Sequence, residues 1–284
     1  MTVHQETRES TVATTGTDER LLQAVASDNR PHPPNAWSST TAFATRALLR
    51  IKHVPEQMFD VTVFPIIFLL MFTYLFGGAI AGSTSDYLQF LLPGILVMTV
   101  AQITMYTGMD LNNDIRKGIF DRFRTLPIWL PSALIGSLLV DVIRYSLASV
   151  IMIGLGLLLG FRPEGGVVGV LLAIVLVLIF SFSLSWIWTT LGLIVRSEKT
   201  LMMISFMVLM PLTFISNVFV DPVTLPTWLQ GFVNSNPISI LATAVRGFMQ
   251  GTGTWQHVAS VLLVSAIMTG IFAPLTMYLY RNKK

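Results

Sequence analysis

The sequence predicts an all-α membrane protein of six transmembrane helices with both termini in the cytoplasm. Three observations lead there. Of 284 residues, 53% are hydrophobic and only 12% charged, where a soluble domain carries roughly twice that charged fraction. Six apolar runs of bilayer length recur along the chain, and the basic residues fall almost entirely on one side of them. The mean hydropathy is +0.68. Cysteine is absent, which excludes disulfides and thiolate metal sites. No repeat with a period of ~20–50 residues occurs, which excludes a solenoid.

Residues 1–36 are rich in Thr, Ser, Glu, Asp, Arg and Pro and close on Pro31-His32-Pro33-Pro34. Too few large apolar side chains are present to offset the entropy of ordering, so the segment reads as a flexible cytoplasmic tail ahead of one transmembrane domain, 37–284. Met1 to Arg20 lacks the basic start and apolar core of a signal peptide. Residues 38–54 then place Phe43, Ala47 and Ile51 on one helical face, with Arg46, Arg50 and His53 beside it, before Pro55. A soluble helix and a helix lying on the cytoplasmic membrane surface both fit this pattern. The nearby first span favours the interfacial reading.

The apolar runs are 61–81, 88–110, 132–160, 167–195, 200–219 and 257–280. Each has about the ~20 residues needed to cross ~30 Å of hydrocarbon at 1.5 Å per residue. Six crossings put both termini on one side. That side holds Arg46, Arg50, Lys52, Arg116, Lys117, Arg122, Arg124, Arg196, Lys199, Arg281, Lys283 and Lys284, whereas Arg162 and Arg246 lie opposite. The positive side is the cytoplasmic one.

Between the second and third runs lies the charged stretch from Asp114 to Pro127. Read as a helix, it puts Ile115, Ile119, Phe123 and Leu126 on one face and Arg116, Lys117, Asp121, Arg122 and Arg124 on the rest. A basic loop that only sets topology and an element that docks into a partner's groove are both open. The apolar stripe and the terminating Pro127 favour docking.

Within the third run, Asp141 and Arg144 stand one turn apart on the face of Ser137 and Ala148. An unpaired charge at membrane depth costs at least ~2.5–3.5 kcal/mol, so the two are expected to pair. The pair serves either as a conformational latch or polar path, or as glue between helices. In the fourth run Ser181, Ser185 and Gly192 form a small-residue seam beside Trp186 and Trp188. In the fifth, Ser205, Leu209, Thr213 and Ser216 follow one face near Pro211, and Met202, Met203, Met207 and Met210 add pliable apolar surface. Ser205, Leu209, Met210, Thr213, Ser216 and Asn217 are the candidate translocation path, with ordinary helix packing as the competing reading. After it, Asn236 and Pro237 form an N-cap and first-turn proline. The following Ile238, Leu241, Val245 and Phe248 share a face. At about 12 residues, or ~18 Å, this helix is too short to span and reads as a re-entrant or surface helix on the outer side.

Enzyme signatures are missing: no Gly-Lys dipeptide, His-Glu-x-x-His or Gly-x-Ser-x-Gly occurs, and the histidines at 4, 32, 53 and 257 have no ligand spacing. Any energy source is then a separate polypeptide.

The ordered motifs resemble those of the membrane subunit of ABC-2 type exporters, most closely the daunorubicin-resistance permease family, over about 45–284. They are Asp114 to Pro127, Gly160-Phe161-Arg162-Pro163, Pro211 to Val220, Leu225-Pro226-Thr227-Trp228-Leu229, Asn236-Pro237 and Val245-Arg246-Gly247. Where family members often carry Arg after the glycine that begins the third span, this chain has Ser137 after Gly136. Arg116-Lys117 follows the daunorubicin branch, where broader relatives carry Arg-Glu. The resemblance implies two permeases, identical or paralogous, paired with two ABC ATPase subunits that hold the ATP and magnesium. This chain would bind no cofactor, metal or nucleic acid. It would couple to the ATPase through Asp114, Arg116, Lys117, Gly118, Ile119, Phe120, Asp121, Arg122, Phe123 and Arg124. Residues 38–54 would be the interfacial helix, and Trp228, Asn236, Pro237 and Arg246 would belong to an extracellular gate. The implied activity is ATP-driven export of an amphiphilic drug-like natural product or lipid across the plasma membrane. The same fold moving a polymer or glycolipid intermediate is the alternative. An intramembrane enzyme built on Asp141 and Arg144 is remote, since the two offer no nucleophile–base pair.

Overall fold

The computed structural model describes residues 41, 42, 44, 45, 55–118 and 131–282, and every regular element among the described residues is helical. The 1–36 tail, most of the predicted 38–54 helix and residues 119–130 lie outside the described residues.

Helix α1, Pro55–Met71, passes through one π-helical turn at Phe72–Phe76 into the short α2, Gly77–Ala81. Its aromatic side is continuous. Phe64, Phe68, Phe72 and Phe76 stand four residues apart, with successive ring centroids 4.9, 5.1 and 5.3 Å from one another. Ser83 then caps α3, Thr84–Arg116, its hydroxyl accepting the Asp86 N–H at 3.0 Å. At 33 residues α3 is ~50 Å long and forms the buried axis of the fold. Around it lie α4, Pro131–Leu159, α5, Gly166–Ile194, and α6, Glu198–Phe214. A short 3-10 turn, Pro222–Thr224, leads to α7, Thr227–Ser235, and α8, Pro237–Met249. Helix α9, Trp255–Asn282, packs along α5.

Among the described residues, five helices are long and apolar enough to cross a membrane: Val63–Ala81, Thr84–Arg116, Leu134–Leu159, Gly166–Ile194 and Trp255–Asn282. They coincide with five of the six predicted runs. The remaining run, 200–219, is helical only as α6, whose 17 residues measure ~25 Å. Pro211 lacks the N–H that would hold the last turns together, and the chain leaves helical geometry at Ile215. Ser216 then braces the irregular stretch, donating to the Thr213 carbonyl and accepting from the Val218 N–H. Phe219 carries that stretch back onto the Phe68 and Phe72 rings of α1.

The contact between α3 and α5 is made by glycine. A Cβ on Gly108 would overlap the Trp188 carbonyl, and one on Gly192 would overlap the Gly108 carbonyl. Backbone against backbone at this crossing leaves no room for any side chain. Polar bonds flank it: Trp188 Nε1 donates to Thr104 Oγ1 at 2.8 Å, and Asn112 Nδ2 donates to the carbonyls of Gly192 and Val195 at 3.0 and 2.6 Å.

Helix ends gather in two groups. At one, Gln89 of α3 donates to the Gly160 carbonyl and accepts from the Arg162 N–H, Tyr87 donates to the Phe219 carbonyl, and the Gly165 N–H donates to the Met249 carbonyl. At the other, Leu134, Leu193 and Tyr280 form a small core with Leu111 and Ile115. The helix ends and connections there carry Arg116, Lys117, Arg196, Lys199 and Arg281, while Arg162 and Arg246 belong to the first group.

The charged stretch beginning at Asp114 differs from expectation at its start. Residues 114–116 are the last turn of α3, and Gly118 closes that helix with a left-handed φ of 66° while its N–H reaches the Ile115 carbonyl. A single uninterrupted helix through 114–127 is therefore excluded, because glycine in this conformation ends a right-handed turn.

Candidate functional site

Two polar constellations stand out among the described residues. The first is built where α3, α4 and α5 meet. Arg144 lies 3.2 Å from Asp141 on its own helix and 3.6 Å from Asp110 on α3. Asp141 accepts a hydrogen bond from Thr107 at 2.6 Å, and Thr107 is also 3.3 Å from the Tyr145 hydroxyl. Tyr145 continues the chain to Ser185 of α5 at 2.7 Å, and Ser185 donates to the Ser181 carbonyl. Thr107, Asp141, Arg144, Tyr145 and Ser185 are all buried.

The predicted pairing of Asp141 with Arg144 is thus present, and Ser185 of the predicted small-residue seam joins it. Sequence reasoning missed Asp110, the last residue of the apolar run 88–110. It also missed Thr107 and Tyr145, whose periodicity is that of core residues. In a low-dielectric interior the attraction between such groups is strong, and removing one partner leaves another charge unpaired and desolvated. The arrangement ties three helices into one electrostatic unit.

The second constellation closes the end of the molecule that holds α7 and α8. Asn236 caps α8 through the Ile238 N–H at 2.9 Å, and its Nδ2 donates to the carbonyls of Leu212 and Ile215 at 2.7 and 2.8 Å. Pro237 is the first residue of α8, as predicted. Asn217 receives Arg246 Nη2 on its carbonyl at 2.9 Å, while Arg246 Nε donates to the Phe90 carbonyl at 3.1 Å. The guanidinium also lies 3.8 Å over the Phe90 ring, a cation–π contact. The structure therefore brings Asn217, Asn236, Pro237 and Arg246 together. Trp228 stands apart on α7 with its side chain exposed. Gln89 and Phe90, the α3 anchors of this cap, gave no sequence signal inside their apolar run.

Of the candidate path, Ser205, Leu209, Thr213, Ser216 and Asn217 are buried, with α6 packed against α3. Met210 lies on the opposite, exposed face with Met202, Met203 and Met207. Of the coupling residues, Asp114, Arg116, Lys117 and Gly118 end α3, and Ile119, Phe120, Asp121, Arg122, Phe123 and Arg124 lie outside the described residues.

Comparison with known proteins adds three relationships. The family model described as ABC-2 type transporter matches residues 38–250. A daunorubicin resistance ABC transporter permease protein of Streptomyces coeruleorubidus is 50% identical over 283 residues, 100% of this chain and 99% of that one. A probable doxorubicin resistance ABC transporter permease protein of Mycobacterium tuberculosis is 27% identical over 241 residues, 82% of this chain and 87% of that one.

Proposed function

The chain belongs to the ABC-2 type transporter family, and from that premise we propose that it exports an amphiphilic, drug-like natural product. It is a non-catalytic, multi-pass permease subunit of the plasma membrane, and the ATPase of such a transporter is a separate subunit. Similarity along the entire chain to a daunorubicin resistance permease carries the substrate class.

The working assembly in this reading is two permeases and two ATPase subunits, with ATP and magnesium on the ATPases. The sixth crossing is α6 together with 215–220, and both termini are cytoplasmic, as the distribution of Lys and Arg supports. The chain after Gly118, with Phe120 and Phe123 as its largest side chains, docks on the ATPase, and α7 and α8 cap the extracellular end. Opening that cap requires Arg246, Asn236 and Asn217 to exchange partners, and a transporter needs contacts that differ between its states. The exposed methionines of α6 offer the pliable apolar surface that suits amphiphiles of varied shape.

Inverted membrane vesicles holding this chain and its ABC ATPase should accumulate daunorubicin only when ATP and both subunits are present. Accumulation that persists with a hydrolysis-deficient ATPase would overturn the reading.

A further inference from the structure

We propose that a polar cavity between α8 and α9 binds a sugar ring, so that the capped end recognises the glycosyl part of a glycosylated amphiphile. The cavity has a volume of about 310 Å³ and is lined by Asn234, Ser239, Ile240, Thr243, His257 and Ser260. This is at the lower end of the ~300–1,000 Å³ typical of small-molecule sites. Ser239 and Thr243 are one turn apart on α8, and His257 and Ser260 one turn apart on α9, so two facing helices each present a pair of hydrogen-bonding groups.

The hydrogen-bond directions define what the cavity offers. The Asn217 N–H donates to Ser239 Oγ at 3.1 Å, and Asn217 Nδ2 donates to Thr243 Oγ1 at 2.6 Å. Each hydroxyl accepts from the framework behind it and keeps its own proton, and among the described residues neither donates elsewhere. His257 Nδ1 accepts the Thr254 N–H at 3.3 Å, a capping-box bond at the start of α9. With Nδ1 accepting, Nε2 is the ring's N–H, a further donor. Ser260 spends its proton on the Gln256 carbonyl at 2.9 Å and is left as an acceptor, while Asn234 supplies both functions. The lining therefore mixes donors and acceptors around one aliphatic side chain, with no carboxylate, ammonium or guanidinium. A phosphate would find no lysine or arginine there and a metal ion no carboxylate, whereas a ring bearing hydroxyls, an ether oxygen and C–H faces matches each element. Asn217 also ties the cavity floor to the carbonyl that holds Arg246, so an occupant would be felt directly by the cap.

The site rests on the export reading only for its physiological ligand, and binding can be measured without transport. The permease–ATPase complex in nanodiscs free of glycolipid would be titrated with three probes: daunorubicin, its sugar-free aglycone, and an alkyl glucoside as a lipid-borne sugar. The intact complex should bind daunorubicin on the order of ten-fold more tightly than the aglycone. The substitution Thr243→Val should reduce that preference to near unity, Thr243→Ser should restore it, and Asn234→Ala, at the rim, should weaken it without touching the framework bonds. Displacement of daunorubicin by the alkyl glucoside would show that a sugar of either origin is accepted, and failure to displace with the preference intact would assign the site to drug-borne sugars. Equal binding of glycoside and aglycone, or a preference unchanged in T243V that unfolds at the wild-type temperature, would overturn the proposal. Sugar-dependent binding without ATP-dependent accumulation would uphold the site and remove the exporter reading instead.

Discussion

Arg144 illustrates what a single side chain controls in this interior. It serves two carboxylates, Asp141 at 3.2 Å and Asp110 at 3.6 Å, on two different helices. Thr107 meanwhile supplies Asp141 with a second stabilising contact. The members are therefore unequal. Arg144→Met takes the guanidinium from both acids and should cost about 3–5 kcal/mol, the range for breaking a buried pair. Asp141→Asn keeps a hydrogen-bond acceptor for Thr107 and leaves Arg144 beside Asp110, so its loss should be clearly smaller. Combining Asp110→Asn with Arg144→Met should recover part of what R144M loses. Thermal unfolding of the purified permease in one detergent orders the variants. A D141N variant as unstable as R144M would show that the guanidinium does not bridge the two helices.

At the scale of elements, the α3–α5 crossing decides how the helices sit. Because Gly108 and Gly192 meet through their backbones, the neighbour of an added methyl group is a carbonyl and not a side chain that could turn away. Gly192→Ala should therefore cost about 1–3 kcal/mol, as overpacking does in a close-packed interior. Gly154→Ala on α4 is the matched control, since a Cβ there meets nothing within 4 Å and alanine is the better helix former. Expression and unfolding temperature should fall for G192A and hold or rise for G154A. Equal behaviour of the two would mean that the helices are free to separate at this crossing. The predicted seam of Ser181, Ser185 and Gly192 was legible because small residues at helical spacing mark close approach. Its partner glycine on α3 was not singled out, although Ala101, Thr104 and Gly108 have the same small-residue spacing, because sequence spacing does not say which helix lies opposite.

For the whole molecule, the orientation proposed from the distribution of charge can be tested from outside the cell. With no cysteine in the chain, single introduced thiols report without background. Val223→Cys places one on the exposed 3-10 turn of the capped end, and Lys199→Cys places one at the start of α6 among the basic residues. An impermeant maleimide applied to intact cells should label V223C and spare K199C until the membrane is opened. The reverse pattern would invert the topology, and labelling of both would place the ends of α6 on the same side.

Composition and periodicity by themselves determined the helical class, five of the six predicted spans as long apolar helices, the N-cap at Asn236 and the pairing of Asp141 with Arg144. Each is a local property: a helix satisfies its own backbone, an apolar run of bilayer length has one stable environment, and residues three apart on a helix must meet. Tertiary structure alone decided the rest. Asp110 joins the charge cluster because α3 and α4 cross there, a register that no single helix encodes. The polar face of α6 turned inward against α3 and left Met210 outside, since a helix with groups suited to either side takes its orientation from its neighbours. Gly118 interrupted the stripe that began at Ile115, because side-chain spacing does not report the sign of φ. The cavity beside His257 arose because α8 and α9 bring residues from separate segments face to face, and the donor character of its hydroxyls follows from Asn217, a residue supplied by a third.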